Sequence, residues 1–217
     1  MEIILASTSP YRRALLARLG LPFTALAPDF SEQTPEQAAD PGAMVIANAL
    51  GKARSLARLH PAAIVIGSDQ VAVCAGRVLG KPGTEQQAVA QLLEQAGREH
   101  ELLTAVAVIG PSQPEDARAG PGATSAPETR LHEETALAVN RLRMRRLGAA
   151  EALAYVRRDQ PLDCAGAYKS EGLGIALFEH IRGDDPTAVI GLPLIALCDL
   201  LRRFGLDPLA GPQPGGS

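Results

Sequence analysis

The sequence predicts an α/β fold with layered strands and helices. Apolar runs of strand length, such as residues 63–67 and 102–109, alternate along the chain with segments such as residues 43–59, whose apolar residues recur at helical spacing. Hydrophobic residues make up 46% of the 217 residues and aromatic residues only 3%, so we expect a core of Ala, Leu, Val and Ile. A chain of this length can bury such a core as one domain with a cleft.

Strand and helix patterns alternate through the first half of the chain. Ser9 and Pro10 suit the N-cap and first position of a helix that Gly20 ends. The apolar run at residues 63–67 continues into Ser-Asp-Gln and a second apolar run, which puts Asp69 at the end or at a kink of a buried strand. The elements predicted here are a strand over residues 1–6, a helix over 10–19, a strand over 23–27, a helix over 43–59 and a strand over 63–67.

The second half continues the alternation around one irregular segment. Thr84 and Gln87 form a capping-box pattern at the start of a helix that stops at Gly97. Residues 111–129 are rich in Pro, Ala, Gly, Ser and Thr and carry no large apolar residue, so we interpret them as a flexible insertion. Residues 209–217 are predicted to be a disordered tail. The other elements predicted here are strands over residues 102–109 and 137–147 and helices over 149–157 and 193–204.

The composition excludes several classes of partner. With 21 basic and 24 acidic residues the formal net charge is −3, which removes the attraction that drives nonspecific nucleic-acid binding. No apolar run approaches the length of about 18 residues that spans a bilayer, and no signal-peptide pattern is present. We therefore expect neither nucleic acid nor membrane as a partner. The three cysteines lack disulfide or zinc spacing, which favours the cytoplasm; monomer and homodimer both stay open.

Residues 3–13 combine a short apolar strand, a hydroxyl-rich turn and a helix start that carries two arginines. The free N–H groups of the first helical turn, the helix dipole and the side chains of Arg12 and Arg13 can converge on one anion. A phosphate suits such a position, beside the hydroxyl groups of Ser7 and Ser9. The alternative is that the Ser-Pro pair opens an ordinary helix and that both arginines are solvated.

This segment resembles the N-terminal signature of the Maf family of nucleotide pyrophosphatases, a hydrophobic strand followed by Ala-Ser-x-Ser-Pro-x-Arg. Further matches follow in the same order at residues 51–53, 66–70, 80–82, 165–172 and 189–194. The resemblance implies one domain over residues 1–208, with a Maf/ITPase-like elongated mixed sheet flanked by helices and a nucleotide cleft between two lobes. It also implies a nucleoside triphosphate substrate and a divalent cation, Mg²⁺ or Mn²⁺, as cofactor.

The resemblance assigns roles to individual residues. Asp69 is the candidate proton acceptor, whereas the residue taken alone favours an aspartate that caps a turn. Glu32 matches an acidic position near the family site and could hold the cation together with Asp69; whether Asp69 binds metal, activates water or does both stays open. The positions tied to substrate choice are Arg12, Gln70 and Glu171. The candidates for phosphate contact are Ser7, Ser9, Arg13, Lys52, Lys81 and Lys169, although each lysine taken alone is typical of a solvated charge.

The residues at 68–70, Ser-Asp-Gln, resemble the branch of the family that hydrolyses 7-methyl-GTP, whereas the dTTP and UTP branch typically has Asp-Thr in place of Asp-Gln. Gln70 offers a donor and an acceptor, and an ionised Glu171 offers acceptors that match the N1–H and N2–H groups of guanine. The cationic 7-methylguanine could stack on Tyr11 or Tyr168. Both tyrosines equally suit ordinary packing.

Other chemistries fit the sequence poorly. Residues 76–81 are one residue short of a P-loop and are followed by Pro82, no Gly-x-Ser-x-Gly elbow is present, and the histidines lack zinc-ligand spacing. We therefore predict hydrolysis of 7-methyl-GTP to 7-methyl-GMP and pyrophosphate, a nucleotide-sanitation activity. The alternatives are a dTTP/UTP pyrophosphatase of the same family and a non-catalytic nucleotide-binding regulator of cell division. The four histidines, His60, His100, His132 and His180, are expected to be structural or exposed.

Overall fold

The computed structural model of the chain describes residues 1–35, 40–112 and 131–210. Most of the predicted insertion and most of the predicted tail lie outside these ranges. Among the helices within them, none is both long enough and apolar enough to cross a membrane.

A mixed seven-stranded sheet forms the centre of the described part of the chain. Its strands are β1 (Ile3–Ala6), β2 (Thr24–Leu26), β3 (Ile64–Cys74), β4 (Arg77–Leu79), β5 (Glu99–Pro111), β6 (Leu131–Met144) and β7 (Phe178–Arg182). Their order is β2-β1-β3-β5-β6-β7, and β4 pairs with β3 outside this path. β1 pairs in parallel with β2 and β3, and the other pairs are antiparallel. The predicted α/β class is confirmed.

Helices flank this sheet where the sequence predicted them. They are α1 (Pro10–Ala17), α2 (Pro41–Ala57), α3 (Glu85–Gln95), α4 (Ala149–Asp159) and α5 (Leu194–Arg203). The Ser9 and Thr84 side chains cap α1 and α3, as predicted. Every predicted helix and strand is present with shifted bounds, whereas the short strands β4 and β7 were not predicted.

The helices form two lobes on one long sheet. The first lobe packs α2 on one face of the sheet and α1 and α5 on the opposite face. The second lobe packs α3 and α4 against the far ends of β3, β5 and β6. Because these long strands run through both lobes, the cleft between the lobes is lined by residues from the middle of the sheet.

The position of Asp69 differs from the prediction. β3 runs without a break through this residue, which pairs with Ala105 of β5, so Asp69 lies at neither an end nor a kink. On the other edge of β3, pairing with β1 reaches Ile66 and pairing with β4 begins at Ala72. The strand therefore has an uncovered edge in between, beside the carboxyl end of β1, where ligands bind in many α/β sheets.

Two glycines bring α2 unusually close to its neighbours. A Cβ atom at Gly67 of β3 would lie 2.2 Å from the backbone oxygen of Ala49, and one at Gly51 of α2 would lie 2.1 Å from the Phe30 ring. Neither space admits a side chain. The helix backbone therefore rests directly on β3, and the loop that carries Phe30 rests directly on the helix.

We predict that Gly67→Ala destabilises the fold, because the added methyl group collides with helix backbone rather than with a flexible side chain. The expected loss is at least the roughly 1–3 kcal/mol typical of overpacking, measured as the free energy of unfolding in urea. Gly80→Ala is the matched control, since an added Cβ there meets nothing within 4 Å. Equal stability of the Gly67→Ala variant and the wild type would contradict the proposed backbone contact.

A second prediction concerns pH. His100 of β5 is buried, its Nε2 lies 3.1 Å from the Tyr168 hydroxyl oxygen, and burial lowers its pKa from 6.5 to about 4. Between pH 6.5 and about 4, His100 therefore binds a proton in the unfolded chain but stays neutral in the native protein. Stability is lost over this window by up to about 1.4 kcal/mol per pH unit from this group.

The test compares the free energy of unfolding between pH 7 and pH 4 in the wild type and in His100→Gln. The variant is expected to lose less stability on acidification than the wild type. His60→Gln, at a partly exposed position, serves as the control and should follow the wild type. If the free energy of unfolding depends on pH in the same way in the wild type and in His100→Gln, His100 is not the source of this loss of stability.

Candidate active site

A cleft of about 520 Å³ opens between the two lobes at the uncovered edge of β3. It unites residues that are distant in sequence, from the start of α1, from α2, from the centre of β3 and from the segments that follow β4 and α4. Of the residues predicted to form the site, those that line it are Ser7, Ser9, Arg12, Glu32, Lys52, Asp69, Gln70, Lys81 and Glu171. The two that do not are Arg13 and Lys169.

Lys52 joins two carboxylates in this cleft. Its Nζ lies 2.7 Å from Asp69 Oδ1 and 2.6 Å from Glu32 Oε1, and the side chains of Lys52 and Asp69 are almost completely buried, whereas that of Glu32 is 47% exposed. Because a buried charge is costly unless it is paired and hydrogen-bonded, Asp69 and Lys52 depend on each other for burial. Glu32 extends the cluster towards solvent.

Asn48, which the sequence analysis missed, holds the second oxygen of Asp69. Its Nδ2 donates to Asp69 Oδ2 at 2.9 Å, and the same side chain exchanges hydrogen bonds with the backbone of Gln33. Asn48 and Lys52 lie four residues apart on α2 and therefore share one helical face. A polar pair at this spacing within the apolar face of a helix was the signal that could have revealed Asn48.

The charges around Glu32 favour its ionised form. Desolvation raises the pKa of this carboxyl, but the hydrogen bond and charge of Lys52, with the charges of Lys81 and Arg12, outweigh it and lower the pKa below the usual value. The contribution of ionised Glu32 to stability is therefore present above the unfolded-state pKa and is lost as the pH falls through the lowered one. Glu32 is therefore ionised at neutral pH.

Gln70 points to the opposite face of the sheet from Asp69, because neighbouring residues on a strand point to opposite sides. Arg12 reaches the same face from α1, which packs there. Both bind the turn formed by residues 188–191, which we call the 188–191 turn. Arg12 Nε donates to the carbonyl oxygen of Gly191 at 2.9 Å, and Gln70 Nε2 donates to that of Ala188 at 2.8 Å. The Ser68 hydroxyl also donates to the Gly191 oxygen, at 2.9 Å. The uncovered edge of β3 lets side chains from both faces reach one cleft.

The start of α1 forms the end wall of the cleft. Ser7 Oγ accepts from the backbone N–H of Ser9 at 3.1 Å, and Ser9 Oγ accepts from that of Arg12 at 3.4 Å. The N-terminus of the helix, with its positive dipole end, therefore faces the cleft. Arg13 lies about 100° further round the helix than Arg12, is exposed and does not line the cleft.

The far wall carries Lys81 and Glu171, both exposed and lining the cleft. Lys169 does not line the cleft: its Nζ donates to the carbonyl oxygen of Asp159 at 2.8 Å and lies 5.8 Å from the ring centre of Tyr11. Its contact with phosphate stays a prediction. Tyr11 lines the cleft and is partly exposed. Tyr168 is buried, with its ring packed edge-on against Phe178, so packing accounts for most of its surface.

The donor set suits a hard divalent cation. Across residues 1–35, 40–112 and 131–210, no group of three or more His, Cys, Asp or Glu side chains converges on a point that could hold a metal ion. Glu32 and Asp69 do converge on the same ammonium group, and Mg²⁺ is commonly bound through one or two carboxylates together with substrate phosphates and water. A cation here would therefore depend on substrate for part of its coordination.

The chain is similar to known proteins over nearly its whole length. The family model described as Maf-like protein matches residues 2–204. A 7-methyl-GTP pyrophosphatase of Bordetella avium is 46% identical over 98% of both chains, and one of Syntrophotalea carbinolica is 45% identical over 95% of this chain and 96% of that one. A solved dITP/XTP pyrophosphatase of Mycobacterium abscessus aligns over 99% of this chain and 100% of its own at 18% identity, with a TM-score of 0.40, which is too low for any inference. The sequence motifs, the cleft that they line and the full-length match together show that this chain belongs to the Maf family.

Proposed function

We propose that this chain is a nucleoside triphosphate pyrophosphatase that hydrolyses 7-methyl-GTP to 7-methyl-GMP and pyrophosphate, and so removes a modified nucleotide from the pool. The observation that carries the proposal is the buried Asp69–Lys52 pair, which lines a cleft beside the N-terminus of α1. Relatives that bear the name 7-methyl-GTP pyrophosphatase are 46% identical to this chain over nearly its whole length.

The triphosphate is proposed to lie between the start of α1 and Lys81. The helix N-terminus, Arg12, Lys52 and Lys81 supply the positive charge that phosphoryl transfer requires in the transition state. Asp69 accepts the proton of the water that attacks the α-phosphorus atom, and the bond from that phosphorus to the bridging oxygen of the β-phosphate breaks. Lys52 and Asn48 hold the Asp69 carboxylate in place for this step.

A divalent cation, Mg²⁺ or Mn²⁺, is proposed to bind Glu32 and Asp69. When bound, it would neutralise charge on the phosphate oxygens and support the departure of pyrophosphate. Lys52 lies between the same two carboxylates and keeps them close together before substrate binds.

The nucleobase of the substrate is proposed to lie between the 188–191 turn and Glu171. Glu171 contributes acceptor oxygens for the N1–H and N2–H groups of guanine, and Tyr11 offers an aromatic surface for the cationic ring. Gln70 and Arg12 are tied to substrate choice in this proposal. A cytoplasmic location and the lack of a nucleic-acid partner stay predictions from the composition, as does the choice between monomer and homodimer.

Two alternatives remain distinguishable from the proposal. A pyrophosphatase for dTTP or UTP would use the same Asp69 cluster, but the residue at 70 is Gln rather than Thr. A nucleotide-binding regulator of cell division would need no general base, whereas the buried Asp69–Lys52 pair pays a desolvation cost and adds little stability by itself. This cost of burying the pair favours the enzyme over the regulator.

The first functional prediction is that Asp69→Asn removes turnover and keeps nucleotide binding. The amide preserves shape but cannot accept the proton, so kcat for pyrophosphate release from 7-methyl-GTP should fall about 10²–10⁴-fold. Asp199→Asn, an exposed substitution on α5, is the control. Turnover near the wild-type rate in Asp69→Asn would exclude this residue as the base, and a wild type that binds without turnover would favour the regulator.

The second prediction concerns recognition of the nucleobase. The wild type should prefer 7-methyl-GTP over GTP, dTTP, UTP and ITP, measured as kcat/KM for pyrophosphate release with Mg²⁺ or Mn²⁺. Glu171→Gln should lower kcat/KM for 7-methyl-GTP by about 10–100-fold, the range that a charged hydrogen bond contributes, with a smaller effect on dTTP. Glu179→Gln, exposed on β7, is the matched control. A wild-type preference for dTTP or UTP would support the other branch.

A further inference from the structure

Gln70 and Thr104 form a polar pair across the centre of the sheet. They lie directly opposite each other on β3 and β5, so their side chains extend from the same face. Thr104 is completely buried. Gln70 Nε2 donates to Thr104 Oγ1 at 2.9 Å, and Thr104 Oγ1 donates to the carbonyl oxygen of Ala188, also at 2.9 Å.

These contacts determine which way the Gln70 amide points. Its Nε2 also faces the carbonyl oxygens of Ala188 at 2.8 Å and Val189 at 3.4 Å. Backbone carbonyl groups only accept hydrogen bonds, so an amide turned the other way would set oxygen against oxygen. The Thr104 proton is already directed at Ala188, which leaves the threonine oxygen as an acceptor for Gln70.

Both hydrogens of the amide are consequently committed to the protein. The polar atom that Gln70 can still offer to a ligand is Oε1, an acceptor. The space beside it is kept open by Gly191, where a Cβ atom would lie 3.9 Å from Gln70 Oε1 and 3.6 Å from Arg12 Nε. The sequence alone left Gln70 as either donor or acceptor, and the contacts remove the donor.

We infer that Thr104 is a specificity-determining positioning residue: together with the Ala188 carbonyl group, it takes up both hydrogens of the Gln70 amide and leaves the oxygen as the free group, which favours bases that present an N–H donor over bases that present a lone pair at the same position. This inference rests on the proposed function for the identity of the ligand. Thr104 itself touches no substrate in this account and acts only through Gln70.

The test is equilibrium binding in the presence of EDTA, so that no turnover occurs. The probes are 7-methyl-GTP, whose N1 and N2 present N–H donors that Glu171 and Gln70 Oε1 share in this account, and ATP, whose N1 carries a lone pair, each in competition with a fluorescent nucleotide. Thr104→Val keeps the shape of the side chain and removes the hydroxyl group, whereas Thr104→Ser keeps the hydroxyl group and removes the methyl group. The contribution of the N7 methyl group cancels when the affinity ratio is compared between variants.

In Thr104→Val, the ratio of the two affinities should fall about threefold to tenfold, the range of one neutral hydrogen bond, and Thr104→Ser should recover it. A purely structural role would weaken both ligands equally and leave the ratio unchanged. Thr135→Val, an exposed position on β6, is the matched control, and Thr104→Ala carries the same loss of hydroxyl if the valine variant fails to fold.

The outcomes separate this inference from the proposed function. An unchanged ratio in Thr104→Val, a serine variant that behaves like the valine variant, or a wild type that does not discriminate between the probes would each overturn the inference. The proposed function fails on a different observation, namely wild-type protein that binds 7-methyl-GTP but releases no pyrophosphate when Mg²⁺ or Mn²⁺ is added.

Discussion

The close contact between α2 and β3 is the constraint on which the rest of the site depends. Gly67 allows the backbone of α2 to touch the strand, and only at this separation do Asn48 and Lys52 reach both oxygens of Asp69. Because of this contact, the Asp69 carboxylate is buried together with its partners Lys52 and Asn48. A larger residue at 67 would separate the charges while leaving each of them buried, which is the costly arrangement.

The uncovered edge of β3 has an equally large effect on the site. A continuous sheet would keep Asp69 and Gln70 on opposite faces and apart. Because pairing with β1 stops at Ile66 and pairing with β4 starts at Ala72, both faces open into one cleft. Proton-transfer chemistry is therefore proposed on the α2 side and substrate choice on the side of the 188–191 turn. This separation allows the two functions to be altered independently.

The 188–191 turn links the sheet to the lobe that contains α1 and α5. Side chains from α1, β3 and β5 donate to its carbonyl groups. Gly191, at φ 127°, allows the backbone to turn there without strain. The turn is a single 3₁₀ turn that pairs with no strand of the sheet, so side chains that are distant in sequence join it to the sheet.

The sequence by itself determined the class of the fold, most of the helices and strands, and the set of motifs that supplies the cleft. These features follow from local periodicity, from capping residues such as Ser9 and Thr84, and from short motifs whose residues are neighbours in the chain. Asp69, Glu32, Lys52 and Gln70 were identified through the resemblance of the sequence to the Maf family, before their positions were known.

Only the tertiary structure decided how those residues are used. The unbroken course of β3 through Asp69 depends on its partner β5, some 36 residues further along the chain by the Asp69–Ala105 register. The role of Asn48 depends on a helix packed against that strand, and the orientation of the Gln70 amide depends on Thr104 and Ala188. Such long-range contacts leave no periodic trace in the sequence, because each involves a single pair of residues rather than a repeating pattern.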